Sequence, residues 1–258
     1  MHHANIKTAF RYKFTSSLGS MLIFYLVMVV VMAGAVIGAL RVSPLNFSVG
    51  IGTSTEGHFS GYGMAAMIFL FVIGIVSIRE DLRLFMQHGI GRRSLFITEI
   101  LMIPTLSLML AIGGELLVTI GRALTIPRST IIISDLYQQI FMADSQKAGM
   151  DMMAHLESVL LFFALFVFTY ASGMFISLIF YRLNKMWTIV VAIGVPLFLI
   201  FGLPALIITF KLDLIKPIEV LLSSFWLYFA FIMAFSVLIN LFNWLMLRRA
   251  PVKAAKPG

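Results

Sequence analysis

Cysteine is absent from the 258 residues, so neither a disulfide framework nor a thiolate metal site is open to this chain, and its redox compartment leaves no mark on the sequence. Charge is almost as scarce. Only 12% of residues are Asp, Glu, Lys or Arg, against roughly a quarter in soluble globular domains. The phosphate-cradling pattern G-x-x-x-x-G-K-[ST] does not occur, which excludes a P-loop ATPase within the chain. H-E-x-x-H and other closely spaced ligand sets are missing too: His2, His3, His58, His88 and His155 are scattered over tail and loops. The G-x-S-x-G elbow of a serine nucleophile is also absent. These gaps predict a protein that is not an enzyme and binds no metal or cofactor of its own.

Apolar sequence is what the chain has in abundance. At 60% hydrophobic residues and a mean hydropathy of +1.02, it reads as an integral membrane protein. A net charge of +8 would suggest nucleic acid in a soluble protein. Here the cations flank apolar runs, the pattern of membrane orientation, so membrane lipid and not nucleic acid is the expected contact. The runs fall at residues 21–40, 64–78 (starting near Gly61), 97–120, 159–180, 186–210 and 220–247, each near the twenty or so residues a bilayer requires once the second is extended. The first is long enough to span and is followed by others, which argues against a cleaved leader. The fold class expected is an all-α membrane protein, one transmembrane domain over residues 1–258 with six spans.

Six spans return both termini to one side. Thirteen of the 19 Lys and Arg fall in residues 1–19, 79–96, 182–185 and the tail, and six in the alternate loops. The positive-inside rule therefore places both termini and residues 79–96 in the cytoplasm of a cell-membrane protein. In residues 1–19, Ile6, Phe10 and Phe14 recur every fourth position beside Lys7, Arg11 and Lys13, the pattern of an interfacial amphipathic helix. On the outer side the long connection over 121–157 contains a short helix-like stretch, residues 134–142, with Ser134 placed as its N-cap.

Ionisable residues inside the spans are few, and such residues are kept where function needs them. Glu99 and Glu115 both lie in the third span. Glu99 is a turn from the cytoplasmic end and is expected to join Arg92, Arg93 or another interfacial group. Glu115 either lines a cavity or reaches up to water. Asn240 and Asn243 share a face of the sixth span at i, i+3, open to a pathway role or to bonding between helices. Pro104 in the third span and Pro196 and Pro204 in the fifth are expected to kink or loosen those helices. The sites do not match between the two halves, unlike the paired broken helices of inverted-repeat carriers.

Charge of both signs, Arg79, Glu80, Asp81, Arg83, Arg92 and Arg93, is packed into residues 79–96, longer than a simple turn needs. Leu82, Phe85 and Met86 fall at i, i+3 and i+4 on one helical face, with Glu80, Arg83 and Gln87 on the other and Gly89 as a stop. A short amphipathic helix at the membrane surface is the expectation. The run Phe85-Met86-Gln87-His88-Gly89-Ile90-Gly91-Arg92-Arg93-Ser94-Leu95-Phe96 resembles the coupling-helix pattern of ABC-2-type transporter permeases: apolar residues, a small residue, an aliphatic one, Gly or Ser, then Arg and a hydrophobic pair. As architecture the resemblance covers almost the whole chain, and as sequence only residues 85–96.

The resemblance implies an elbow helix over 1–19, a cytoplasmic coupling helix over 79–96, and a second permease protomer, identical or different. It also implies a separate ATPase that holds ATP and Mg. Phe85, Gln87, Gly89, Ile90, Arg92 and Arg93 would couple to that ATPase, while Glu115, Asn240 and Asn243 are candidates to line the pathway. The function implied is ATP-driven export of an amphiphilic substrate, whether peptide, drug or lipid-like. An ion-coupled secondary transporter and a non-transporting anchor or immunity subunit are the alternatives.

Overall fold

The computed structural model describes residues 2–41, 57–59, 61–87, 90–125, 131–133, 135–142, 150–183, 185–197 and 220–248. Among these the helices are α1 (His2–Arg41), α2 (Gly61–Gln87), α3 (Arg92–Thr125), α4 (Leu136–Phe141), α5 (Met152–Arg182), α6 (Lys185–Leu197) and α7 (Phe225–Arg248). Two three-residue strands, β1 (Gly57–Phe59) and β2 (Ile131–Ile133), pair in parallel with Gly57 opposite Ile131, joining the approach to α2 to the exit from α3. Five helices, α1, α2, α3, α5 and α7, are long and apolar enough to cross a membrane. The chain is a multi-pass membrane protein. Of the expected span over 186–210, the described part is α6, and residues 198–210 with Pro204 lie outside the described residues.

α5 is the central helix, packed against α2, α3, α4 and α7. Its buried residues Phe162, Phe166, Tyr170, Met174 and Leu178 recur every fourth position, which lines them up along one face. The approach to α2 depends on two glycines. A Cβ on Gly173 would stand 2.3 Å from the Phe71 carbonyl oxygen, and one on Gly74 would stand 2.5 Å from that of Tyr170. Small residues let membrane helices meet backbone to backbone, where dispersion must replace the hydrophobic effect that lipid does not supply. On α3, Gly113 and Gly114 make room for Tyr25 and Tyr62 in the same way. The two phenols lie over the helix and donate to the carbonyls of Met109 and Leu110 at 2.8 and 2.7 Å.

The two ends of the bundle have different cores. At one end Ala9, Ile78, Leu82, Phe85, Leu95, Met174, Leu178 and Leu247 cluster, so α1 and α3 leave from the end where α2, α5 and α7 arrive. This is the basic end of the sequence. At the other, Tyr137, Ala154, Leu161 and Phe225 form a smaller aromatic cluster under α4. α4 matches the short helix expected over 134–142, but its cap is Asp135, whose carboxylate accepts from Gln138 N at 2.8 Å. The helix of α3 is continuous through Pro104.

Two expectations change. Residues 1–19 and the first span form one 40-residue helix, with no separate interfacial element. The buried positions Ala9, Lys13, Met21, Met28 and Met32 continue a single face across the expected break, and packing along that face holds the helix together. The described residues of 79–96 likewise form no separate surface helix. Positions 79–87 extend α2 without interruption and 92–96 begin α3, because the apolar face of Leu82 and Phe85 is spent on the inner cluster. The result is the tip of a helical hairpin.

Candidate functional site

Lys13 is 5% exposed and Glu99 fully buried, and the two form an ion pair. The same ammonium donates to Asp81 Oδ2 at 2.6 Å and to Ser77 Oγ at 3.0 Å. Its three N–H groups thus have three acceptors. Glu99 also accepts from Ser77 Oγ at 3.1 Å and from the fully buried Tyr170 hydroxyl at 3.0 Å. A buried charge costs several kcal/mol of desolvation unless it is paired and its remaining hydrogen bonds are met; this network meets them. It joins α1, α2, α3 and α5 at one point, with Asp81 six residues before the end of α2 and Glu99 seven after the start of α3.

Beside this node lies a cleft of about 470 Å³ between α1 and α2. Ser16, Ser17 and Ser20 form its α1 wall and Phe69, Val72 and Val76 much of its α2 wall, with Tyr12, Lys13 and Asp81 at the basic end. Serine on α1 is too short to fill the groove, and α1 meets α3 far more extensively than it meets α2.

The residues singled out at the α2–α3 tip divide into inward and outward sets. Phe85 is 3% exposed and belongs to the inner cluster, which Ile90 also contacts. Ile90 N donates to Phe85 O at 2.8 Å, a six-residue closure at the end of α2. Arg92 donates from Nη1 to the carbonyl of Arg248 at 3.1 Å, meeting an orphan acceptor at the end of α7 where a cation suits the helix dipole. Gln87, Gly91 and Arg93 are exposed. Gly89 lies outside the described residues.

At the opposite end Glu115 does not stand alone. His155 Nδ1 is 2.7 Å from its Oε1, and Ser158 Oγ lies 2.7 Å from its Oε2 and 2.6 Å from Asp135 Oδ2. One hydroxyl hydrogen serves one carboxylate at a time, so Ser158 bridges α3 to the α4 cap in either sense. Arg122 Nη2 is 3.7 Å from Asp135 Oδ1, and the Tyr137 hydroxyl bonds Glu157. Burial and then the Glu157 and Asp135 carboxylates push the Tyr137 phenol above its ordinary range, which keeps it a donor. Asn243 is fully buried and donates to the Ala171 carbonyl of α5 at 3.1 Å. Asn240 donates within its own helix to Ser236 O at 3.0 Å. Both amide oxygens are buried without a partner among the described residues.

The structure brings together groups that spacing left apart. Lys13, a cation of the amphipathic N-terminal pattern, is the interfacial group that Glu99 joins, and neither Arg92 nor Arg93 is. The available signal was its fourth-residue spacing from Ala9, which sets it on the apolar face. Ser77 and Tyr170 carried no signal, since a hydroxyl within a span is ordinary until an acid lies beside it. No group of three or more His, Cys, Asp or Glu able to hold a metal occurs among the described residues. No family model, curated protein or solved structure matches the chain.

Proposed function

We propose that this chain is the permease subunit of an ABC-type exporter, energised by a separate ATPase that docks at the α2–α3 tip. The observation that carries the reading is the bonding behind that tip. Gln87 and Arg93 are exposed at the basic end, while the helices that present them are tied through Asp81 and Glu99 to Lys13 on α1 and Tyr170 on α5. A push at the tip therefore moves four helices as one body, a rigid-body mode of coupling. With no phosphate loop in its sequence, the chain needs energy from elsewhere, and the positive-inside rule puts this end on the side where ATP is held.

The docking contacts narrow to Gln87, Gly91 and Arg93, because Phe85, Ile90 and Arg92 make contacts within the chain. Two such chains, alike or different, would form the pathway between them. The test is purification from native membranes. A Walker-motif ATPase should accompany the chain, with ATP hydrolysis present in the complex and absent from the chain alone; hydrolysis by the isolated chain would overturn the reading.

The Lys13–Glu99 pair favours a second reading, an ion-coupled carrier, because intramembrane ionisable groups are the usual relays of such proteins. Reconstituted vesicles separate the two: uptake driven by an imposed proton or sodium gradient without ATP selects the carrier, and uptake requiring ATPase and ATP selects the exporter.

A further inference from the structure

We infer that the cleft between α1 and α2 is a binding site for one amphiphile carrying a protonated amine head and an apolar tail. The volume, about 470 Å³, lies within the roughly 300–1,000 Å³ typical of small-molecule sites. From Phe69 to Leu84 the α2 wall covers sixteen residues, about 22 Å at about 1.5 Å per residue, so the cleft is elongated along the helix axis and suits an extended chain. Its walls are graded. Phe69, Val72 and Val76 are apolar, Ser16, Ser17 and Ser20 add hydroxyls, and Tyr12 and Asp81 close the basic end.

The head-group chemistry follows from what the charged end has left to offer. Lys13 gives its three N–H groups to Ser77, Asp81 and Glu99, so no ammonium donor remains for a phosphate or carboxylate. Two carboxyl groups stand against that one ammonium, and Asp81, its side chain 13% exposed, lines the cleft. Tyr12, 55% exposed, adds a π-face, which attracts cations. Ser16, Ser17 and Ser20 line the cleft and present hydroxyls to the ester or phosphate oxygens below a head group. An amine is thus bound by a carboxylate and a ring, and an anion meets neither a free ammonium donor nor a positive balance. The site needs no ATPase and stands independently of the exporter reading.

The test uses the full chain in detergent, with native mass spectrometry reading retained ligand and thermal unfolding reading the fold. The probes are phosphatidylethanolamine, phosphatidylglycerol and octadecylamine. One amine-bearing molecule should be retained per chain, with phosphatidylglycerol retained about tenfold less, the scale of one charge-assisted hydrogen bond. Retention of phosphatidylethanolamine alone assigns the site to a membrane lipid, and of octadecylamine alone to a free cationic amphiphile; either upholds the amine chemistry. Ser20→Phe, which fills the groove away from the ionic node, should abolish retention and leave the unfolding temperature unchanged. Asp81→Asn should remove the preference for the amine, but it also disturbs Lys13, so Ser20→Phe decides occupancy. Equal retention of phosphatidylglycerol, or retention unaffected by Ser20→Phe, overturns the inference.

Discussion

Lys13 and Glu99 lie 86 positions apart in sequence and meet as a buried ion pair joining α1 to α3. Removing one partner leaves a charge without its counterpart in a low-dielectric interior, a loss of about 3–5 kcal/mol. Lys13→Met and Glu99→Gln should each lower thermal stability in detergent sharply. The double variant should lose less than the sum, with a coupling of about 1–3 kcal/mol. Strict additivity would show that the pair makes no direct contribution.

The α2–α5 contact predicts opposite outcomes for two identical changes. Gly173→Ala pushes a methyl against the Phe71 carbonyl and should destabilise by about 1–3 kcal/mol, as overpacking does. Gly34→Ala meets nothing within 4 Å and should be neutral or stabilising by up to about 1 kcal/mol. Unfolding temperatures of the two variants check this, and equal effects would remove the close backbone approach from the account.

The Glu115–Ser158–Asp135 network gives a third prediction. Ser158→Ala removes the hydroxyl between Glu115 and Asp135 and leaves two carboxyl groups facing each other. Destabilisation by about 1–3 kcal/mol is expected from the lost partner. Glu115→Gln in the same background should recover part of it, since an amide can donate where the hydroxyl did. Unfolding measured for the three variants that showed no recovery would leave the bridge without energetic weight.

How far the sequence foretold these features differs by element. The apolar runs located α1, α2, α3, α5 and α7 because a bilayer imposes length and composition directly. The short helix α4 is readable from Asp135-Leu136-Tyr137-Gln138, although its cap is Asp135, one residue after Ser134. Pairing across the bundle was not readable. Lys13 sits in a cationic amphipathic pattern that suits a membrane surface as well as a core, and only the continuation of its face into Met21 and Met28 decides between them. Leu82 and Phe85 share one apolar face, as their spacing predicts. Periodicity does not say whether that face meets a partner or the chain's own α5.

Orientation is checked with single cysteines, since the chain has none of its own. Gln87 is exposed at the basic end and Met152 is 87% exposed at the other. On intact cells an impermeant thiol reagent should label Met152→Cys and spare Gln87→Cys until the membrane is opened. The reverse pattern would turn the protein over and remove the tip from the compartment that holds ATP.

Docking of an ATPase at the α2–α3 tip is the step on which the proposed function turns. Its most direct measurement is the amount of ATPase that copurifies with a Gln87→Glu, Arg93→Glu double variant. Both side chains are exposed, so expression and unfolding temperature should match the unaltered chain. An interface anchor is worth about 2 kcal/mol or more, about thirtyfold in affinity, so copurified ATPase and ATP-dependent transport should fall together by at least that factor. Undiminished copurification and transport would contradict the docking assignment and, with it, the exporter reading.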